Sequence, residues 1–172
     1  MTTSNRTIHV FAYGSNMHPR RMRARVTGVV PVDIGFVSGR RLAFHKRGID
    51  GSGKADATVT GNPNDRVWGV IYSLPEHQKE ILDGYESVGV GYDCENAMVQ
   101  TQRNSIRASI YTARFEAIQA DLSPYSWYLA FVLLGAIANR LPAEYLQSLR
   151  RINASIDQDR ERHVQNMLLA ET

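Results

Sequence analysis

The residues best suited to chemistry are Tyr13-Gly14-Ser15-Asn16 near the start of the chain and, much later, Asp83 and Glu86. The first group directly follows an apolar run, Ile8-His9-Val10-Phe11. A glycine, a hydroxyl residue and an amide in succession can present consecutive backbone N–H groups that hold an anion. The same residues also read as a tight turn, with Asn16 capping a helix that begins near His18-Pro19. In the second group, Leu82-Asp83-Gly84-Tyr85-Glu86 closes a short helical pattern. Glu86 then lies at the negative end of a helix, with a second carboxylate one turn earlier. Both features favour a proton on Glu86, and a carboxylate that exchanges protons near neutrality can serve as general base or acid. Helix position alone also fits a solvated glutamate at a frayed end.

Other motifs fail on inspection. Gly48-Ile49-Asp50-Gly51-Ser52-Gly53-Lys54 imitates a phosphate-binding G-x-x-x-x-G-K loop, but Ala55 stands where a hydroxyl must hold magnesium. The run Asp56-Ala57-Thr58-Val59-Thr60 is β-prone where that motif needs a helix, so a hairpin loop is expected. The five histidines show no H-x-H or H-E-x-x-H spacing, and with one thiol they predict no zinc site. Ser15 lacks the second glycine of a G-x-S-x-G elbow, which suits it to touching a substrate rather than attacking it. Cys94 reads as a small buried strand residue.

The elements that must position these residues are mostly short strands. Ile8–Tyr13, Val29–Ile34, Arg41–Phe44, Ala57–Thr60, Val67–Leu74, Glu95–Thr101 and Ile106–Ala113 are β-prone and separated by turn residues. Pro75 begins one helix among them, with Ile81, Leu82 and Tyr85 on one face. After Ala120, Ser123-Pro124 predicts a helix to about Asn139 and Pro142 a second. Ser155 with Gln158 predicts the cap of a third helix, bearing an apolar stripe of Ile156, Val164, Met167 and Leu168. The expected fold class is α+β: a small mixed, mainly antiparallel β-barrel or curled sheet, with one helix inserted and C-terminal helices packed outside. One domain is expected over residues 1–172, with a β-rich core over about 7–120 and a helical tail over 121–172.

Composition sets further bounds. The 172 residues are 43% apolar and 22% charged, as in ordinary globular proteins. A single cysteine fits a reducing, cytoplasmic setting. Met1–Thr7 holds no signal-peptide core, and the apolar run Trp127–Ala138 is far short of the roughly 20 residues that span a bilayer. Between His18 and Lys54, nine basic residues stand against Asp33 and Asp50. No nucleic-acid motif or run of stacking aromatics accompanies them, so a small molecule rather than nucleic acid or membrane is the expected partner. The tail helices leave room for a homodimer.

Taken together, Phe11-x-Tyr13-Gly14-Ser15-Asn16, then Val67-Trp68-Gly69-Val70-Ile71-Tyr72, then Leu82-Asp83-x-x-Glu86 resembles the γ-glutamylcyclotransferase family. Gly135-Ala136 and Leu141-Pro142-x-Glu144-Tyr145 look like that family's helical tail, and the resemblance spans about residues 8 to 150. One departure is Ser87, where a glycine commonly follows the catalytic glutamate; it bears on the shape of the loop beyond Glu86. The resemblance implies cyclisation of a γ-glutamyl group to 5-oxoproline, with release of an amino acid or amine and no cofactor or metal. It implies Glu86 as catalytic base and acid, with Tyr13, Gly14, Ser15, Asn16 and Tyr128 binding substrate. Tyr128 reads equally as a core aromatic beside Trp127 and Phe131, and Tyr92 could line the pocket. Substrates implied range from γ-glutamyl amino acids and amines to glutathione and biosynthetic intermediates. The contrasting expectation is a catalytically silent member that binds an acidic metabolite or nucleic acid through the loop and basic segment.

Overall fold

The computed structural model describes residues 6–171. Strands form at all seven β-prone runs: β1 (Thr7–Ala12), β2 (Val30–Ser38), β3 (Arg40–Arg47), β4 (Gly53–Val59), β5 (Arg66–Pro75), β6 (Tyr92–Gln100) and β7 (Ser105–Ala113). Five of them close a barrel in the order β1-β5-β2-β6-β7, while β3 and β4 form a separate hairpin. Pairing is antiparallel except where β1 meets β7 at Val10 and Ser109. Closure leaves β1 paired on both sides, with Val10, Phe11 and Ala12 buried. Its end is therefore a rigid point from which the Tyr13-Gly14 loop departs.

The strand pattern predicts one helix among the strands, and the fold contains two. Besides α2 (Lys79–Tyr85), α1 spans Pro19–Arg25, where proline's fixed φ suits the first turn. His18 is its N-cap residue and no side chain caps it, so Asn16 is free for another task. Of the predicted α2 face only Leu82 is buried; Ile81 and Tyr85 are exposed.

The tail holds α3 (Ser126–Ala138), α4 (Ala143–Arg150) and α5 (Arg160–Glu171). Two predicted caps are corrected. α3 starts after Tyr125, not at Ser123, and the Ser155 carbonyl accepts the Ser126 N–H at 2.8 Å while Ser123 and Ser155 join hydroxyls at 3.1 Å. Ser155 thus ties the entry of α3 in place, and Asp159 accepts the Arg162 N–H at 3.0 Å at the start of α5. The predicted α5 stripe is also corrected: Ile156, Val164 and Leu168 are exposed, and Ala170 is the buried residue. The reason lies in Asp157, buried between the Trp127 N–H (2.8 Å) and a two-pronged Arg162 fork (2.6 Å each), which sets the rotation of the helix.

That fork holds the Asp157 carboxyl well below the usual carboxylate range, with help from Trp127. A depressed folded pKa stabilises fully above the unfolded value of about 3.9 and loses its effect as pH falls toward the folded one. Melting curves are therefore expected to show Tm falling as pH drops below about 4. Asp157→Asn should lower Tm at neutral pH and flatten that acid fall; an unchanged acid profile would assign it to other groups.

Candidate active site

The loop after β1 is gripped from two sides. The turn Ser15–Met17 follows Gly14 at once, and the Met17 carbonyl accepts from the Tyr72 hydroxyl (3.0 Å) and the Asn139 amide (2.9 Å). The Tyr13 hydroxyl donates to the Tyr111 carbonyl, which fixes this buried tyrosine as an anchor of the loop. On the other side α3 passes very close: a Cβ on Gly135 would stand 2.5 Å from His18 N and 2.7 Å from Met17 C. Within the turn the first hydrogen bond is Met17 N–H to the Gly14 carbonyl. The N–H groups of Ser15 and Asn16 precede it and have no hydrogen-bond partner among the described residues.

Glu86 caps α2 and faces this loop. Its Oε1 accepts from Asn16 Nδ2 at 2.8 Å and from Arg25 Nη1 at 2.8 Å, and Arg25 also donates to Asn16 Oδ1 at 2.9 Å. The triangle is largely shielded, with the Arg25 and Glu86 side chains 16% and 14% exposed. Both donors meet Oε1, no hydrogen bond reaches Oε2 among the described residues, and Glu86 lines the cavity. Asp83 does not crowd Glu86 as its spacing suggests. It pairs instead with Lys79 and accepts the Tyr111 hydroxyl at 2.6 Å, so each carboxylate has its own cation.

Beyond Glu86 the chain bends through Ser87, whose φ of 51° lies in the left-handed region. Serine here adopts a left-handed conformation that a glycine takes without strain. Ser87→Gly is expected to raise stability by up to about 1 kcal/mol, read as a higher Tm. A lower Tm would show that the serine side chain contributes more than the strain costs.

An inner recess with a cavity volume of ≈ 40 Å³ opens between Tyr13–Asn16, Ala55, Glu86, Tyr92, Tyr111 and Tyr128. It leads into an outer cleft of ≈ 350 Å³ bounded by α1, the β3–β4 loop and the starts of α3 and α5. Ser15, Glu86, Tyr92 and Tyr128 line both, so they stand at the junction. The Gly48–Lys54 stretch is indeed the β3–β4 hairpin loop, and it forms part of the cleft wall through Asp50 and Lys54, which pair at 2.7 Å.

Two tyrosines meet on the backbone of Ala55. The Tyr128 hydroxyl accepts the Ala55 N–H at 3.1 Å, and the Tyr92 hydroxyl donates to the Ala55 carbonyl at 2.7 Å. Tyr128 also interacts through its hydroxyl with the Ser15 side chain, and burial raises its pKa. It is at once a core aromatic, packed edge-on against Trp127, and a wall of the recess.

All six predicted site residues, and Tyr92, come together around the recess. Arg21, Arg25 and Lys46 stand out in the sequence only as members of a basic segment, yet they line the outer cleft. For the arginines a signal exists: an i,i+4 spacing in a segment starting with proline puts Arg21 and Arg25 on one helix face. Lys46, on β3, has none. Elsewhere in the segment Arg40 pairs with Glu95 and Arg41 with Asp65.

Comparison with known proteins agrees with this geometry. The profile of the AIG2-like family matches residues 66–149. Human gamma-glutamylcyclotransferase is 30% identical over 156 residues, covering 83% of this chain and 77% of the relative, and the bovine protein is 28% identical over 155 residues. A solved gamma-glutamyl cyclotransferase superimposes with a TM-score of 0.81 at 23% identity, covering 93% of this chain and 99% of the other. An uncharacterised human protein does so with a TM-score of 0.80 at 24% identity. Fold and site together define a closed-barrel protein with a loop-and-carboxylate cavity. The chain belongs to the γ-glutamylcyclotransferase family. Among the described residues, no helix is long and apolar enough to cross a membrane.

Proposed function

We propose that this protein converts a γ-glutamyl amide to 5-oxoproline and a free amine, with Glu86 moving the protons. The observation that carries the reading is Glu86 itself, held through one oxygen by Asn16 and Arg25 while it lines the cavity beside the Tyr13–Asn16 loop. The nucleophile is the substrate's own α-amino group, which titrates near about 7.7–8.0 and must lose a proton before attack. Glu86 Oε2 takes that proton. The α-nitrogen bonds to the γ-carbonyl carbon, the carbonyl π electrons move to oxygen, and an oxyanion forms.

Donors suited to that oxyanion come from residues that line the inner recess: the Ser15 and Asn16 N–H groups and the Tyr128 hydroxyl. One such donor contributes about 2.7–4 kcal/mol to a transition state of this type. Glu86 hands its proton to the leaving nitrogen, and as the oxyanion collapses that C–N bond breaks; the ring nitrogen, still carrying two hydrogens, then gives one to Glu86, which passes it to the departing amine and is left as the carboxylate again. Atoms balance without water, and the ring product keeps the original carbonyl oxygen. Curling the flexible glutamyl chain so that its two ends meet is worth up to about 7–11 kcal/mol, which gives the gripped loop a part as large as that of the base.

The test is formation of 5-oxoproline from γ-glutamyl-alanine, γ-glutamyl-ε-lysine, a γ-glutamyl amine and glutathione, with Glu86→Gln as control. Product from at least one, lost in the control, supports the reading. No product from any of the four would contradict it.

A further inference from the structure

Five cations line the outer cleft, and three already have partners: Arg25 with Glu86, Lys54 with Asp50, and Arg162 with Asp157 behind the wall. Arg21 and Lys46 have no carboxylate within ion-pair distance among the described residues. Arg21 donates to the Ser15 hydroxyl at 3.0 Å and lies over the Phe131 ring, on the loop side of the junction. Lys46 stands on β3, its ammonium 4.9 Å from the Tyr92 ring centroid. It is only 9% exposed. Gly91 leaves it room, since a Cβ there would lie 2.8 Å from Nζ. Burial pushes the Lys46 pKa down against the upward pull of the Glu86 and Asp50 carboxylates, neither of which reaches ion-pair distance from it. A ring face compensates a buried charge only in part, so the ammonium suits an anionic ligand.

The substrate chemistry supplies that anion. When its α-amine is ready to attack, a γ-glutamyl amino acid carries two carboxylates, one on each side of the scissile amide. Two cations without an ion-pair partner among the described residues border the junction from different elements. Arg21, on α1, holds the Ser15 hydroxyl beside the Asn16–Glu86 pair, whereas Lys46, on β3, lies against Tyr92. We propose that Lys46 is a specificity-determining residue that binds the carboxylate of the leaving amino acid, making the protein selective for γ-glutamyl conjugates of acids over those of plain amines. The proposal rests on the cyclisation reading above for the direction in which the substrate lies.

The experiment compares γ-glutamyl-alanine with γ-glutamyl-ethylamine, which differs only by loss of the leaving-group carboxylate. Wild type is expected to favour the acid by about 10- to 100-fold in kcat/KM, the range of a charge-assisted hydrogen bond. Lys46→Met should cut that preference at least tenfold, mainly through KM for the acid, and Lys46→Arg should restore part of it. Equal use of both substrates by wild type, or an unchanged preference in Lys46→Met, overturns the subsite. A second readout separates the two readings: calorimetric binding of γ-glutamyl-alanine to Glu86→Gln, with and without Lys46→Met. Binding weakened at least tenfold by Lys46→Met, with no 5-oxoproline from wild type, upholds the subsite and contradicts cyclisation. 5-Oxoproline formed equally well from both substrates upholds cyclisation and contradicts the subsite.

Discussion

Glu86→Gln is expected to lower 5-oxoproline formation by about 10²- to 10⁴-fold, the range of a general base, while the protein still binds substrate. The substitution is close to isosteric. The carbonyl oxygen of the introduced amide can keep both hydrogen bonds that Oε1 accepts from Asn16 and Arg25, so the triangle joining loop, α1 and α2 is retained. What disappears is the basic lone pair on the second oxygen. A purely structural Glu86 would give the opposite pattern, with a lowered Tm and activity lost only in proportion to unfolded protein. Turnover, calorimetric binding and a melt measured on one preparation separate the cases. Wild-type turnover in folded Glu86→Gln would remove Glu86 from the chemistry.

A second large effect is expected at Gly135, a position with no side chain of its own. The added Cβ of Gly135→Ala would meet His18 N at 2.5 Å and Met17 C at 2.7 Å, both backbone atoms that cannot swing aside like a side-chain tip. α3 and the Ser15–Met17 turn must then separate, at a cost of about 1–3 kcal/mol for overpacking. The displacement falls on the segment that carries the Ser15 and Asn16 N–H groups. A misplacement of about 1 Å in a positioning element can cost on the order of 100-fold in rate. Gly135→Ala should therefore lower both Tm and kcat/KM with every polar residue of the site intact. Wild-type values of both would show that the loop does not depend on α3.

The strands were legible because alternation and turn residues act locally, so each of the seven runs could be recognised from its own neighbours. Barrel closure was named only as one option beside a curled sheet, since the contact of Val10 with Ser109 joins residues far apart in the chain. α1 showed in the sequence only through His18-Pro19, because its seven residues, PRRMRAR, bury only Met22 and so carry little apolar period. The capping pattern at Ser155 misled because those polar groups serve a tertiary contact with the entry of α3, and the helix starts at the next site able to accept an N–H, Asp159.

The candidate site divides the same way. The loop and Glu86 announce themselves by residue type and chain order, and the fold brings them within hydrogen-bond distance. Arg25, Arg21 and Lys46 looked like surface charge because a sequence does not record which side of a strand or helix meets a cavity. Their burial, and the pairing of some but not others, emerges only when the β3–β4 hairpin folds over the barrel mouth. The excess of basic residues in this part of the chain is thus partly local: Arg21, Arg25, Lys46 and Lys54 all line the cleft, which suits the acidic substrate proposed above.

The central claim is that an intramolecular amine, and not water, attacks the γ-carbonyl. Its most direct test is turnover of γ-glutamyl-alanine in ¹⁸O-labelled water with mass-spectrometric product analysis. The account predicts 5-oxoproline and alanine in equal amounts, with no ¹⁸O in the 5-oxoproline. Glutamate carrying ¹⁸O in its γ-carboxylate would contradict it.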